Sequence, residues 1–189
     1  MRTNERLYLD VHVLQTLPPS CINRDDTGSP KTAVYGGVTR ARVSSQSWKR
    51  AMRLMFKEEL AARQVGIRTK KIVGMVGREL KEQGYEGDAE AAAQNALEAA
   101  GPKIKSPEEG TGALFFMSSA QAKALAELSL ANPDALKKDV PREIKHMAQQ
   151  ALTASPGIDV ALFGRMVADD PSLNTDACAQ VAHSISTHK

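Results

Sequence analysis

Cysteine is scarce in this chain: Cys21 and Cys178 are the only two among 189 residues, and neither stands in a CxxC or Cys/His spacing. Such isolation suggests neither a disulfide framework nor a zinc site, and it fits a reducing compartment. Long apolar runs are missing as well. The opening Met1-Arg2-Thr3-Asn4-Glu5-Arg6 lacks the apolar core of a signal peptide, and no stretch approaches the length of a bilayer span. A soluble, cytoplasmic protein without membrane contact is expected. Internal repeats and low-complexity runs are absent beyond an alanine bias. The composition, 42% hydrophobic and 25% charged, argues against disorder and allows one domain, or one domain carrying an insertion.

Acidic residues are missing from one stretch in particular. Between Val38 and Lys57 there are six Lys or Arg residues and no Asp or Glu, although the whole chain carries only +3. Residues 1–57 hold ten Lys or Arg against four Asp or Glu, and residues 58–189 hold fifteen against eighteen. The basic character is therefore local and points to an acidic partner.

Along the chain, Leu7, Leu9, Val11 and Val13 alternate with Tyr8, Asp10, His12 and Leu14, which predicts a strand with one buried face. Pro18-Pro19 ends it, and the Asn, Asp, Gly and Pro residues up to Gly37 read as a long loop. Val38–Val43 can be extended, placing Arg40 and Arg42 on one side. Ser44 or Ser45 suits the N-cap of a helix to about Arg63, with Trp48, Met52, Met55, Phe56 and Leu60 on one face and Lys49, Arg53 and Lys57 on another.

Further helices are expected from Thr69 to about Glu82, from Asp88 to Ala100 with Gly101 as C-cap, from Ser118-Ser119 to Leu130, and from Pro141 to near Ala154. Pro102 to Gly112 reads as a polar linker and Ala113–Met117 as a buried strand. Ile158, Val160 and Leu162 alternate as a strand entering Phe163-Gly164-Arg165-Met166, and Ala177–Thr187 favours strand. The order is an α+β outline, with an N-terminal part at 1–63, a helical insertion at 64–155 and a return at 156–189.

Several motifs carry chemistry, each beside a plainer reading. The Arg40/Arg42 pair, the Lys49/Arg53/Lys57 stripe and the donors of Ser44, Ser45, Gln46 and Ser47 at a helix start suit phosphate oxygens, because solvated faces normally mix both signs. Asp25 and Asp26 could bind a metal or act as acid and base, whereas adjacent loop carboxylates more often cap turns. His12, His146, His183 and His188 are scattered; His12 could stack on a base or be an ordinary surface histidine, and no metal site is supported. Phe163 and Met166 read equally as core packing or as a wedge against a base. Lys138, Arg142 and Lys145, with Lys137 beside them, could share one helical face, diluted by Asp139 and Glu143.

Val11-His12-Val13-Leu14, the run Pro19–Asp26, Tyr35-Gly36-Gly37 and the run Arg40–Ala51 resemble the CasC family, the backbone subunit of the type I-E CRISPR Cascade surveillance complex. Asp159–Met166 and Gln180–His188 are similar to later blocks of it. The resemblance implies a partial RRM-like (ferredoxin-like) palm with a large helical insertion, ending before the thumb, and a non-catalytic filament subunit without cofactors. Its implied partners are CRISPR RNA, target DNA through the guide, further copies of itself and other Cascade subunits. It implies that Arg24, Lys31, Arg40, Arg42, Ser44, Gln46, Ser47, Lys49 and Arg53, with Ser45 and Arg50 among them, line the RNA backbone. Met166 would press on a kinked nucleotide, and Lys137, Lys138, Arg142 and Lys145 would be a surface for duplex DNA. Two other readings stay open: a metal-dependent ribonuclease of a type III-like effector using Asp26, and a plain protein-interaction domain.

Overall fold

A computed structural model describes residues 7–167 and 170–189. In chain order the elements are β1 (Thr32–Tyr35), β2 (Val38–Val43), α1 (Ser45–Glu59), β3 (Ile67–Thr69), α2 (Ile72–Glu82), α3 (Ala89–Ala100), β4 (Ile104–Ser106), β5 (Gly110–Thr111), β6 (Phe115–Met117), α4 (Ser119–Ala131), α5 (Arg142–Thr153), α6 (Ile158–Phe163) and β7 (Ser184–Ile185). Short 3-10 turns lie at Ala62–Gln64 and Pro171–Leu173. This is an α+β chain with a partial ferredoxin-like character, as expected. It divides into two compact units, one made of the residues up to Ser44 together with His183–Lys189, the other of Ser45–Ala182.

In the first unit β1 and β2 form an antiparallel hairpin in which Tyr35 pairs with Val38. The two turn residues, Gly36 and Gly37, have φ of 63° and 77°, the pair of positive values that a tight hairpin turn matching strand twist requires. β7 adds to the other edge of β2, with Arg42 opposite Ile185. The loop expectation up to Gly37 therefore needs correction: its last part is a strand and a turn. Tyr35 and Val34 are exposed, so β1 lacks the half-buried alternation that would have revealed it.

The strand expected at Leu7–Leu14 does not form. Leu7 is 98% exposed and Leu14 93%, so neither face is covered, and the backbone has no ladder partner. Alternation makes a segment competent to be a strand; a neighbouring strand makes it one.

The second unit is built on α2, α3, α4 and α5. Ile72, Val73, Val76 and Leu80 of α2 lie on one stripe and belong to one core cluster with Leu97 of α3, Leu125 of α4 and Leu152 of α5, all fully buried. Asp88 caps α3 by accepting from the backbone N–H groups of Glu90 and Ala91, and Gly101 ends it at φ 121°. Ser118 and Gln121 form a reciprocal capping box at the start of α4. β3 pairs with β6, Arg68 opposite Phe116, while Phe115 and Met117 point the other way into the core.

Other boundaries shift. α1 stops at Glu59 rather than near Arg63, and Thr69 belongs to β3, so α2 begins at Ile72. The polar linker at 102–112 contains the β4–β5 ribbon, invisible to an apolar period because its residues are mostly polar. Ile158–Phe163 is helix, not strand: over six residues apolar positions fit either period, and Asp159 sits favourably in a helical first turn. Of the strand expected over Ala177–Thr187 only Ser184–Ile185 is ladder-paired.

Candidate nucleic-acid interface

The basic residues singled out in the sequence fall into both units, and each group has its own local support. In the first unit β2 alternates so that Val38, Arg40 and Arg42 are half-buried while Thr39 and Ala41 are exposed. Arg40 and Arg42 thus share a side, as their spacing predicts. Arg40 donates from Nε to the Tyr35 carbonyl at 3.0 Å and from its Nη1 to the carbonyls of Ser186 and Thr187. Its guanidinium is therefore partly occupied in holding the C-terminal strand. Arg42 Nε is removed from water and has no hydrogen-bond partner among the described residues.

The loop preceding the hairpin is a closed structure. Asp25 accepts from the backbone N–H groups of Thr27 and Ser29, both at 2.9 Å, and from the Thr27 hydroxyl. The Thr27 hydroxyl bond is the largest influence holding the Asp25 carboxyl below its ordinary range. Arg24 donates to the Gly28 carbonyl, and Lys31 and Ser44 reach Asn23 through their backbone N–H groups. Asp25 is thus a turn staple; Asp26 beside it is exposed. Among the described residues no three His, Cys, Asp or Glu are grouped so as to hold a metal ion.

In the second unit α1 has no acid in its first turn. Ser45 and Ser47 are half-buried, Gln46 and Arg50 exposed. No α1 residue is fully buried. Trp48, Met52, Phe56 and Leu60 are half-buried, as expected of the packing face, whereas Met55 is 50% exposed and stands outside it.

The basic stripe is not uniform. Lys57 is exposed, but Lys49 sits over the Phe163 ring at 5.9 Å. Arg53 has Phe116 and Phe163 at 5.1 and 5.0 Å from its guanidinium carbon, and its Nε lies 3.7 Å from the Asp159 carboxylate. Burial lowers the Arg53 pKa, the Asp159 charge opposes that, and Arg68 adds to the lowering. Asp159, only 1% exposed, also accepts the Gly66 N–H at 2.7 Å. Phe163 stacks on Phe56 with centroids 6.2 Å apart. Phe163 is thus half-buried and packed against Phe56, whereas Met166 is 83% exposed and is not part of the core.

Arg165, between them in sequence, is buried with no ion pair to an acid among the described residues. It donates to the carbonyls of Leu173, Phe116 and Leu152 and lies 4.6 Å from the Phe115 ring; burial pushes its pKa down to about 10, so it remains a cation at neutral pH. Gly164 before it has φ 75°, and a side chain there would run into the Thr175 carbonyl. These contacts lock the segment from which Met166 projects.

The second basic cluster is differently placed from its expectation. Lys138 lies in the turns before Pro141, so it does not share a helical face with Arg142 and Lys145, which do belong to α5. Lys137 bonds Asp134 at 2.9 Å, which raises its pKa. All four are exposed. Sequence reasoning missed Arg68, Asp159 and the structural task of Arg165, because each depends on partners distant in sequence.

A family model described as CT1975-like protein matches residues 9–189. No curated protein matches the chain. Among 59 solved chains that do, one from a "CRISPR RNA-guided surveillance complex" is 35% identical with a TM-score of 0.66, covering 92% of this chain and 56% of its own. Another, from a "CRISPR RNA-guided surveillance complex, pre-nicking", is 37% identical with a TM-score of 0.67, covering 92% and 51%. The chain spans about half the length of these solved chains.

Proposed function

The chain belongs to the CT1975-like family, and from that membership we propose that it serves as a subunit of a CRISPR RNA-guided surveillance complex. In finer terms it is the guide-RNA-binding backbone subunit of a type I-E Cascade, of the CasC kind. Copies stack along the CRISPR RNA, contact other Cascade subunits and present the guide for pairing with target DNA. The observation that carries this reading is likeness to chains of such complexes, at 35% and 37% identity over 92% of the sequence. The acid-free stretch from Val38 to Lys57 supports it, as a surface for phosphates that must accept any guide sequence.

In this reading Arg24, Lys31, Arg40, Arg42 and Ser44 from one unit, and Ser45, Gln46, Ser47, Lys49, Arg50, Arg53 and Met166 from the other, contact RNA. Lys137, Lys138, Arg142 and Lys145 meet duplex DNA. The protein acts by binding rather than by catalysis.

The test is RNA binding by the full chain. Wild-type protein should bind single-stranded RNA of unrelated sequences alike. Lys49→Ala should weaken binding evenly and reduce the slope of log K against log salt by about 0.7, the value for one lost single-strand phosphate contact. No binding by the wild type, or a loss confined to particular sequences, would overturn the proposal.

A further inference from the structure

Arg68 was not expected to take part in binding, and its surroundings assign it a role. It lies directly opposite Phe116 in the β3–β6 ribbon, so both side chains stand on the face turned away from the core. The Arg68 guanidinium carbon is 5.7 Å from the Phe116 centroid, and Arg53 from α1 reaches the same ring at 5.1 Å. Two cations converge on one aromatic ring. Lys49 joins them through Phe163, which Arg53 also contacts.

Against these three positive charges the cluster holds one carboxylate, Asp159, which is buried and ion-paired to Arg53 alone. Arg68 forms no ion pair among the described residues. The closeness of Arg68 contributes to lowering the Arg53 pKa, as expected of like charges held together. Solitary arginines stacked on surface rings are ordinary, each contact being weakly favourable alone. Two on one ring, with only one neutralised, is an arrangement whose repulsion an anion would relieve. Arg53 keeps 25% of its side chain exposed and Arg68 is exposed, so the charges are accessible.

We propose that Arg53 and Arg68, held over Phe116, form a phosphate clamp for the backbone of single-stranded RNA, with Arg68 as a contact beyond those the basic stripe supplies. Planar guanidiniums fixed by ring stacking are preorganised for the paired N–H···O bonds that a phosphodiester accepts. Asp159 is the positioning residue: it holds Arg53 at the ring from the buried side. The proposal rests on the RNA-binding reading above.

The experiment measures binding of a labelled 30-nucleotide oligouridylate to the full chain over a salt series, for wild type and the variants Arg68→Gln, Arg68→Lys and Arg78→Gln. Arg78 is an exposed cation on α2, outside the cluster, and controls for net charge. Arg68→Gln should weaken binding about fivefold and reduce the salt slope by about 0.7. Arg68→Lys, which keeps the charge but not the planar fork, should recover the slope while leaving part of the affinity lost. Arg78→Gln should change neither. If the wild type binds and Arg68→Gln leaves the slope unaltered, or if Arg78→Gln loses as much, the clamp is refuted while the broader reading stands. If the wild type does not bind, both fall.

Discussion

Asp159 shows how one side chain can serve two demands at once. Its Oδ1 accepts the Gly66 N–H and its Oδ2 faces Arg53, from a carboxylate that is itself only 1% exposed. Replacing it with Asn keeps an acceptor for Gly66 and removes only the charge. Because Arg53 is partly exposed, the lost attraction is screened, and Asp159→Asn should lower stability by about 1–2 kcal/mol. Asp159→Ala also strands the buried Gly66 N–H and should cost about 3 kcal/mol. Urea unfolding would order the two, and equal losses would show that the Gly66 bond contributes nothing. None of this was legible beforehand: Asp159 read as a polar residue alternating with apolar ones, and its partners Arg53 and Gly66 lie far away in sequence. Arg165 is a parallel case, an arginine tied to three backbone carbonyls from segments that the sequence does not place beside it.

Elements whose ends carry their own chemistry were the readable ones. α3 was bounded correctly because Asp88 supplies an N-cap oxygen and Gly101 tolerates a positive φ. α4 was found through Ser118, and its capping box makes a specific prediction. Ser118 accepts the Gln121 N–H and donates to the Ser155 carbonyl, with 2% exposure. Ser118→Ala should therefore cost about 2 kcal/mol, the upper part of the range for lost caps, because a second buried bond goes with it. Thermal denaturation measures this, and a loss below about 0.5 kcal/mol would mean that the cap is replaced by solvent. By contrast α6, β4 and β5 are too short for periodicity to distinguish states, and β1 is too exposed to alternate. The Gly36-Gly37 pair is a hairpin signal in itself, but the exposed segment before it does not alternate as a strand would.

At the scale of the molecule the two units differ in what stabilises them. Every buried apolar residue among those described lies in Ser45–Ala182; the first unit has only Ser44 buried, and it exposes Leu7, Leu9, Val11, Val13 and Leu14. Apolar burial is the dominant favourable term in folding, so cooperative stability must reside in the α2–α5 core, while the first unit depends on the β1–β2–β7 ladder and the Asp25 loop. Hydrogen exchange followed by mass spectrometry should read this directly. Amides of α2, α3, α4 and α5 should exchange only through global opening, and residues 7–22, which have no ladder, should exchange at nearly intrinsic rates. The hairpin amides should fall between, opening locally at about 1–3 kcal/mol below the global value, since a two- or three-stranded sheet without an apolar face is marginal in water. Protection of residues 7–22 equal to that of the core would show that the alternating Leu7–Leu14 segment does find a partner strand in solution.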